Sequence, residues 1–139
     1  MNDDRSESPS TAKLLAAEPQ LFVHDIQASC AFYTTKLGFK VGFIYGEPPF
    51  YAQVRRDGAA LNFRRLDEPK MNSPLREKDN NENLLSASIT VDDVDSLYLE
   101  FHSAGAELVQ PLKAESWGAC TFIVKDPDGN LILCAGQAK

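Results

Sequence analysis

The chain has 139 residues, of which 43% are hydrophobic, and it carries a formal net charge of −6. This length fits one domain, and the composition is sufficient for a hydrophobic core. The acidic balance argues against a nucleic-acid partner, which would need clustered cations, and no apolar run is long enough for a transmembrane helix.

Two features bear on where the protein resides. Residues 1–17 begin with a polar, acidic stretch that lacks the basic start and apolar run of a signal peptide, and we expect them to be disordered or loosely ordered. Cys30, Cys120 and Cys134 are odd in number and widely spaced, so they predict neither a disulfide framework nor a zinc site. We therefore expect three buried thiols in a protein of the reducing cytoplasm.

The sequence contains an internal repeat, and its first parts are FVHDIQASCAFYTTKLGFKV (22–41) and ITVDDVDSLYLEFHSAGAELV (89–109). In each part an aspartate, Asp25 or Asp93, is placed to accept hydrogen bonds from the first turn of a helix. An amphipathic stretch of about three turns follows. It ends at a glycine, Gly38 or Gly105, which suits the left-handed end of a helix.

Each half then continues with a strand and a hairpin. Residues 51–63 indicate two strands joined by a tight Asp57-Gly58 turn, and residues 120–134 repeat this plan with the longer turn Asp126-Pro127-Asp128-Gly129. The order predicts tandem βαβββ modules, an α+β fold, in one domain over residues 18–137. Module one covers residues 18–65, an exposed linker covers 66–83, and module two covers 84–137.

These motifs resemble a known family. The pattern V-x-D-x6-F-Y-x3-LGF, from Val23 to Phe39, is similar to the opening of the vicinal oxygen chelate superfamily, which is the glyoxalase/bleomycin resistance protein/dioxygenase family. The stretch WGACTFIVKDPDGNLILC (117–134) resembles the final hairpin of that superfamily. The resemblance implies a cupped mixed sheet built from paired modules, usually completed between the two chains of a dimer.

The resemblance also implies four metal-ligand positions, which fall on Glu18, Asn62, Ser86 and Leu133. Of these only Glu18 is a strong ligand for a hard divalent metal, and a metal site needs three or more protein ligands. The two histidines, His24 and His102, lie at none of the four positions. We therefore expect no metal and no cofactor, assign no catalytic residue, and favour a binding protein over an enzyme.

The pattern is most similar to the metal-free bleomycin-resistance proteins, which are dimers that sequester a cationic drug in clefts between subunits. The resemblance implies a homodimer, with exchange of the N-terminal strand near Pro19. The residues expected to line the cleft are Trp117, Asn62, Tyr45, Phe50, Tyr51, Glu47 and Glu115. Rigid aromatic faces grip a flat ligand by stacking, and carboxylates attract its amine groups.

The other aromatic residues are assigned mainly to the core. Phe22, Phe32 and Phe39 are expected there, and for Tyr51 and Phe63 a core position is favoured over contact with a ligand. Trp117 fits either the cleft or a position that closes the edge of the sheet.

Two alternatives remain open at this stage. One is a metal-dependent lyase or dioxygenase with a non-standard ligand set, and the other is an interaction or regulatory module that uses the cup differently. Arg64 and Arg65 have no predicted role, and they are unusual beside a site intended for a cation.

Overall fold

A computed structural model describes residues 10–68 and 84–138. Module one contains β1 (Gln20–Val23), α1 (Ile26–Thr35), β2 (Lys40–Tyr45), β3 (Tyr51–Arg56) and β4 (Ala59–Arg65). Module two contains β5 (Ala87–Thr90), α2 (Val94–Ser103), β6 (Glu107–Ala114), β7 (Ala119–Lys125) and β8 (Leu131–Gln137). Within the predicted lead-in, residues 1–9 lie outside the described residues, as do residues 69–83 of the predicted linker.

The two modules have the same topology. Each forms a four-stranded sheet, in the orders β1-β4-β3-β2 and β5-β8-β7-β6. The first strand of each module runs parallel to the fourth, and the remaining neighbours are antiparallel. The predicted α+β architecture of tandem βαβββ modules is therefore confirmed.

The predicted helix ends are confirmed in both modules. The side chain of Asp25 accepts a hydrogen bond from the backbone N–H of Ala28, and that of Asp93 accepts one from Ser96. Gly38 and Gly105 have φ angles of 72° and 82°, a region that glycine enters without steric cost. Local sequence chemistry thus sets the length of each helix.

One hydrophobic core joins the helix-bearing faces of both sheets. Its members come from α1, β1, β3 and β4 of module one and from α2, β5, β7 and β8 of module two. Tyr33, Phe63 and Phe122 are its largest fully buried side chains. Cys30 and Cys134 are buried as predicted, whereas Cys120 is half-buried, and all three are free thiols.

The β7–β8 turn closes its own hairpin and also forms hydrogen bonds with module one. We call these hydrogen bonds between the modules the clasp. The hydroxyl of Tyr33 in α1 donates to Asp126 Oδ2 at 3.0 Å, and the amide of Asn130 donates to the backbone oxygen of Phe22 at 3.0 Å. Asp128 accepts from the backbone N–H of His24 at 3.0 Å. The turn predicted as a simple hairpin connection therefore also fixes module two against α1 and β1.

The β3–β4 hairpin of module one makes the corresponding contact with module two. Arg56, at the end of β3, donates to both carboxylate oxygens of Glu100 in α2 at 2.7 and 2.9 Å. The hydrogen bond to Glu100 raises the pKa of Arg56. Each module thus contacts the helix of the other through the hairpin that joins its third and fourth strands.

Candidate functional site

The helix-free face of module one has a hydrogen-bonded polar floor. We use "helix-free face" for the side of each sheet opposite its helix. Gln53 Nε2 donates to Asn62 Oδ1 at 2.9 Å and to Glu18 Oε1 at 3.3 Å. Asn62 Nδ2 donates to the same carboxylate oxygen at 3.2 Å. Gln53 and Asn62 are 7% and 9% exposed, so most of this floor is shielded from water.

This floor occupies the place where the family resemblance implied metal ligands in module one. Both amide groups point N–H donors at Glu18, whereas a metal ion needs oxygen or nitrogen lone pairs pointing toward it. Their donors also satisfy the Glu18 carboxylate, which is the single strong ligand of the predicted set. The residues of this floor therefore do not fit a divalent metal.

The equivalent place in module two fits a metal no better. Strand register makes Leu133 the counterpart of Asn62, because Gln20 pairs with Asn62 and Ser88 pairs with Leu133. The hydroxyl of Ser86 donates to Asn130 Oδ1 at 3.1 Å and accepts from a backbone N–H at 3.3 Å. Across residues 10–68 and 84–138, no group of three His, Cys, Asp or Glu side chains could hold a metal ion.

A row of aromatic rings runs beside the polar floor. Phe43 stacks on Tyr45 at 4.9 Å between ring centroids and on Tyr51 at 5.9 Å. The hydroxyl of Tyr51 donates to Gln20 Oε1 at 3.3 Å, which ties this row to β1. Tyr45 is 58% exposed, so its ring offers an open face on which a flat ligand could stack.

The helix-free face of module two carries a second polar group. Glu115 Oε1 accepts from the hydroxyl of Thr121 at 3.0 Å and lies 3.5 Å from Lys113 Nζ. Gln110 Nε2 donates to the Thr121 hydroxyl at 3.1 Å. The side chain of Glu115 is only 16% exposed, so a ligand amine would reach a carboxylate that already has protein partners.

Trp117 lies at the tip of the β6–β7 hairpin. The backbone N–H of Gly118 donates to the oxygen of Glu115 at 3.1 Å, and Gly118 adopts a φ angle of 97°. The indole is 73% exposed. A tight turn therefore presents the only tryptophan of the sequence to solvent, without packing it along the sheet edge.

The structure brings together only part of the predicted cleft. Asn62, Tyr45 and Tyr51 lie on the helix-free face of module one, with Phe50 and Glu47 in the adjoining β2–β3 connection. The other two predicted residues, Trp117 and Glu115, belong to module two. In the described part of the chain, no hydrogen bond, ion pair or ring contact joins the two groups.

Two residues on the helix-free face of module one were missed or misassigned. Gln53 had no motif to mark it, although its spacing of two from Tyr51 places both on one face of β3. Phe22 was expected in the core, but it alternates with the buried Leu21 and Val23 and lies outside the core cluster. The core expectation is therefore wrong for Phe22, and strand alternation could have corrected it.

The predicted core position is confirmed for Phe63 and Phe39, which are 0% and 5% exposed. Phe32 packs partly buried against that core. Tyr51, for which a core position was favoured, is half-buried in the aromatic row.

A further cavity lies elsewhere, between the two modules on their helix-bearing sides. It has a volume of about 580 Å³ and is lined by residues that include Tyr33, Leu37, Leu61, Phe101 and Ile132. None of the seven predicted cleft residues lines it. Its apolar walls belong to the shared core, so the cavity and the helix-free faces are separate features.

Comparison with solved structures shows the same fold in several proteins, among them a bleomycin resistance determinant and a bleomycin-binding protein. A bleomycin resistance determinant encoded on the transposon Tn5 has a TM-score of 0.73 and 19% identity, over 91% of this chain and 100% of the other. A bleomycin-binding protein from the bleomycin-producing Streptomyces verticillus, complexed with copper(II)-bleomycin, has a TM-score of 0.67 and 25% identity, over 93% and 100%. TioX from Micromonospora sp. ML1 has a TM-score of 0.67 and 23% identity, over 87% and 97%.

Sequence comparison places the chain in a family. No curated protein matches the sequence. In the residues that the structure describes, no helix is long and apolar enough to cross a membrane. The model of the Glyoxalase/Bleomycin resistance protein/Dioxygenase superfamily matches residues 15–133, which is most of the sequence. This chain is therefore a member of the Glyoxalase/Bleomycin resistance protein/Dioxygenase superfamily.

Proposed function

We propose that this protein is a metal-independent small-molecule binding protein, which sequesters an aromatic ligand with amine groups in a cleft between two copies of the chain. The observation that carries the proposal is the floor of module one. There Gln53 and Asn62 direct amide donors at Glu18, where a metal-dependent relative would present ligands. A floor of this kind holds a ligand by shape, stacking and hydrogen bonds.

The aromatic row supports the choice of ligand. Three stacked rings, those of Tyr45, Phe43 and Tyr51, lie next to this floor. A planar heteroaromatic ligand gains dispersion and hydrophobic burial on such a surface at little cost in side-chain entropy. Its amine groups would lie near Glu47 and Glu115, and the net charge of −6 favours the approach of a cation. Two solved structures with this fold are bleomycin-binding proteins in complex with the drug, which supports this class of ligand.

The division of the cleft between the two modules supports a homodimer. Tyr45, Phe50 and Trp117 are 58%, 50% and 73% exposed in the single chain, and aromatic side chains of this kind are enriched at protein interfaces. A second copy would bring Trp117 and Glu115 of one chain over the aromatic row of the other. The cleft is therefore complete only in the dimer.

Exchange of the N-terminal strand near Pro19 is part of the same proposal. The oxygen of Pro19 accepts from the backbone N–H of Asn62 at 3.0 Å, and residues 10–18 before it are exposed. In that segment Leu14 and Leu15 are 101% and 92% exposed. Two adjacent leucines gain stability when a second copy covers them. The free thiols agree with a location in the cytoplasm.

Titration of the protein with bleomycin, followed by the emission of Trp117, tests this function. We expect a saturable change in emission in the micromolar range, and Tyr51→Ala should weaken it while leaving the fold intact. The same binding isotherm should be obtained after treatment with a chelator. A flat response to bleomycin and to related cationic aromatics at high micromolar concentration would refute the proposed ligand class.

Two further measurements separate the alternatives. About one divalent metal per chain by elemental analysis, lost together with binding on chelation, would favour the metal-dependent lyase or dioxygenase. A broad thermal-shift screen without any stabilising compound would favour the interaction module, because a ligand that binds only the folded state must raise the melting temperature. Sedimentation equilibrium at micromolar concentration should give a dimer, and a monomer there would contradict the shared cleft.

A further inference from the structure

Arg64 is a positively charged side chain on an interior strand of the candidate site. It alternates with Leu61 and Phe63 of the core, so it shares the helix-free face of β4 with Asn62. In the sheet it lies between Tyr51 on β3 and Phe22 on β1. An arginine at the end of the aromatic row therefore faces the space that the proposed ligand would occupy.

The neighbouring arginines all have a protein partner, and Arg64 differs from them. Arg65 pairs with Asp67 at 2.8 Å, Arg56 pairs with Glu100 at 2.7 Å, and Arg55 donates to Gln53 Oε1 at 2.8 Å. Within residues 10–68 and 84–138, the Arg64 guanidinium has neither an ion pair nor a hydrogen bond. Its five N–H donors are available to a ligand.

The Phe50 ring lies beside this guanidinium. The central carbon of the guanidinium lies 6.0 Å from the centroid of the Phe50 ring, which is the outer range of a cation–π contact. The backbone oxygen of Phe50 accepts from the backbone N–H of Arg65 at 3.0 Å, so the backbone of Phe50 is held beside β4. A planar guanidinium over an aromatic ring keeps its edge free for two parallel hydrogen bonds.

We propose that Arg64 binds an oxyanion group of the ligand, such as a carboxylate, sulfonate or phosphate, while the attached ring system lies on the row formed by Tyr51, Phe43 and Tyr45. This inference rests on the proposed function, because it concerns the same site. It adds a specificity element that the aromatic row and the acidic residues do not provide. The ligand class becomes an aromatic compound with an acidic group at the end of the cleft near Arg64.

The physical reason is the geometry and strength of the pairing. A guanidinium meets a carboxylate or sulfonate through two charge-assisted hydrogen bonds, and such bonds are about twice as strong as neutral ones. An amine at this position would meet a like charge. The position thus selects for an oxyanion and against a cation, whereas Glu115 on module two does the reverse.

A matched pair of dyes tests the inference on the full-length protein. 1-Anilinonaphthalene-8-sulfonate carries a sulfonate, and N-phenyl-1-naphthylamine has the same ring system without it. We expect the sulfonate dye to bind more tightly than the neutral dye, by about tenfold or more, and we expect this preference to weaken as salt is added. Arg64→Met should abolish the preference while leaving the affinity for the neutral dye within about twofold.

Three control variants locate and specify the effect. Arg65→Met removes a neighbouring charge that is already paired with Asp67, and it should leave both affinities unchanged. Tyr51→Ala should weaken the binding of both dyes, because it removes a ring from the shared row. Arg64→Lys keeps the charge without the planar fork, and it should give an intermediate preference for the sulfonate.

The outcomes separate this inference from the proposed function. Equal affinity for the two dyes in the unmodified protein, or an unchanged preference in Arg64→Met, would overturn the role of Arg64 and leave the aromatic cleft standing. If Arg65→Met reduced the preference for the sulfonate dye as much as Arg64→Met does, the role of Arg64 would also be overturned. The preference would then reflect the net charge of the protein. Failure of both dyes and of bleomycin to bind would refute the proposed function and this inference together.

Discussion

The clasp between Tyr33 and Asp126 provides a quantitative test of how the two modules are held together. Tyr33 is 0% exposed and Asp126 is 3% exposed. The carboxylate accepts four hydrogen bonds, from the Tyr33 hydroxyl, the side-chain amide of Asn130, and the backbone N–H groups of Asp128 and Asn130. Tyr33→Phe removes one donor and leaves the ring in place.

The expected cost follows from the charge on the acceptor. A hydrogen bond to a buried charged group contributes about 1.5–3 kcal/mol, whereas one between neutral groups contributes about 0.5–1.5 kcal/mol. At neutral pH we therefore expect Tyr33→Phe to lower the free energy of unfolding by about 1.5–3 kcal/mol. The ring contacts of Tyr33 with Phe63 and Phe39 remain, so no cavity term is added.

The size of this loss should depend on pH. Burial raises the pKa of Asp126, and the hydrogen bonds from Asn130, Tyr33 and Asp128 oppose that rise. A carboxyl with a raised folded pKa stabilises the fold below its unfolded value of about 3.9, and this contribution is lost as the pH rises through the folded pKa. Removing the Tyr33 donor raises the folded pKa further. The variant should therefore lose more stability above that pKa than below it.

Urea unfolding of both proteins between about pH 3.5 and pH 7.5 measures this effect, with each free energy extrapolated to water. Tyr98→Phe is the matched control, since the Tyr98 ring contacts Phe122 and His102 and its hydroxyl has no hydrogen bond within residues 10–68 and 84–138. It should cost less than about 0.5 kcal/mol at every pH. If Tyr33→Phe cost no more than this control, or if its cost grew as the pH fell, the charged-acceptor account of the clasp would be refuted.

Three further predictions concern packing, the polar floor and thiol reactivity. Gly136→Ala should lower the free energy of unfolding by about 1–3 kcal/mol, because the added Cβ would lie 2.7 Å from a backbone oxygen. The control Gly58→Ala places its Cβ more than 4 Å from every described residue other than its two chain neighbours, so it should be near neutral when both variants are measured by thermal unfolding. Asn62→Leu should cost about 1–3 kcal/mol in urea unfolding, because the buried amide of Gln53 loses its hydrogen-bond acceptor and Glu18 loses a donor, and a neutral result would show that water replaces Asn62 in these hydrogen bonds. Burial raises the pKa of Cys134 to about 12, so an aromatic disulfide reagent at about pH 8 should label the half-buried Cys120 first. Labelling of Cys134 before Cys120 would contradict the burial of Cys134.

The sequence predicts those parts of the fold that depend on local chemistry. Asp25 and Asp93 cap helices because a carboxylate near a free N–H group needs no information from the rest of the chain. Gly38 and Gly105 end helices because a positive φ is a property of one residue. Because the same signals occur in both halves of the sequence, the predicted order of helices and strands in one module could be checked against the other.

The contacts that assemble the site depend on residues distant in sequence. Tyr33 and Asp126 are separated by 93 positions, and neither belongs to a local motif that would pair them. Gln53 became part of the polar floor only through cross-strand register with Asn62. The direction of a hydrogen bond across strands, and hence the difference between a metal ligand and an amide donor, requires the structure.

The two modules present different floors at equivalent positions, and this difference bears on how a ligand would lie. In module one Gln53 pairs with Asn62, and both are hydrogen-bonded polar groups. In module two the corresponding pair is Ile123 with Leu133, which is apolar. A metal held between modules needs ligands from both, and neither pair provides them in ligating geometry. A ligand between a polar and an apolar floor instead has one preferred orientation, because turning it over would bury polar groups against Leu133 without partners. The difference between the two floors would therefore orient the proposed ligand, and neither floor presents the set of ligands that a metal needs.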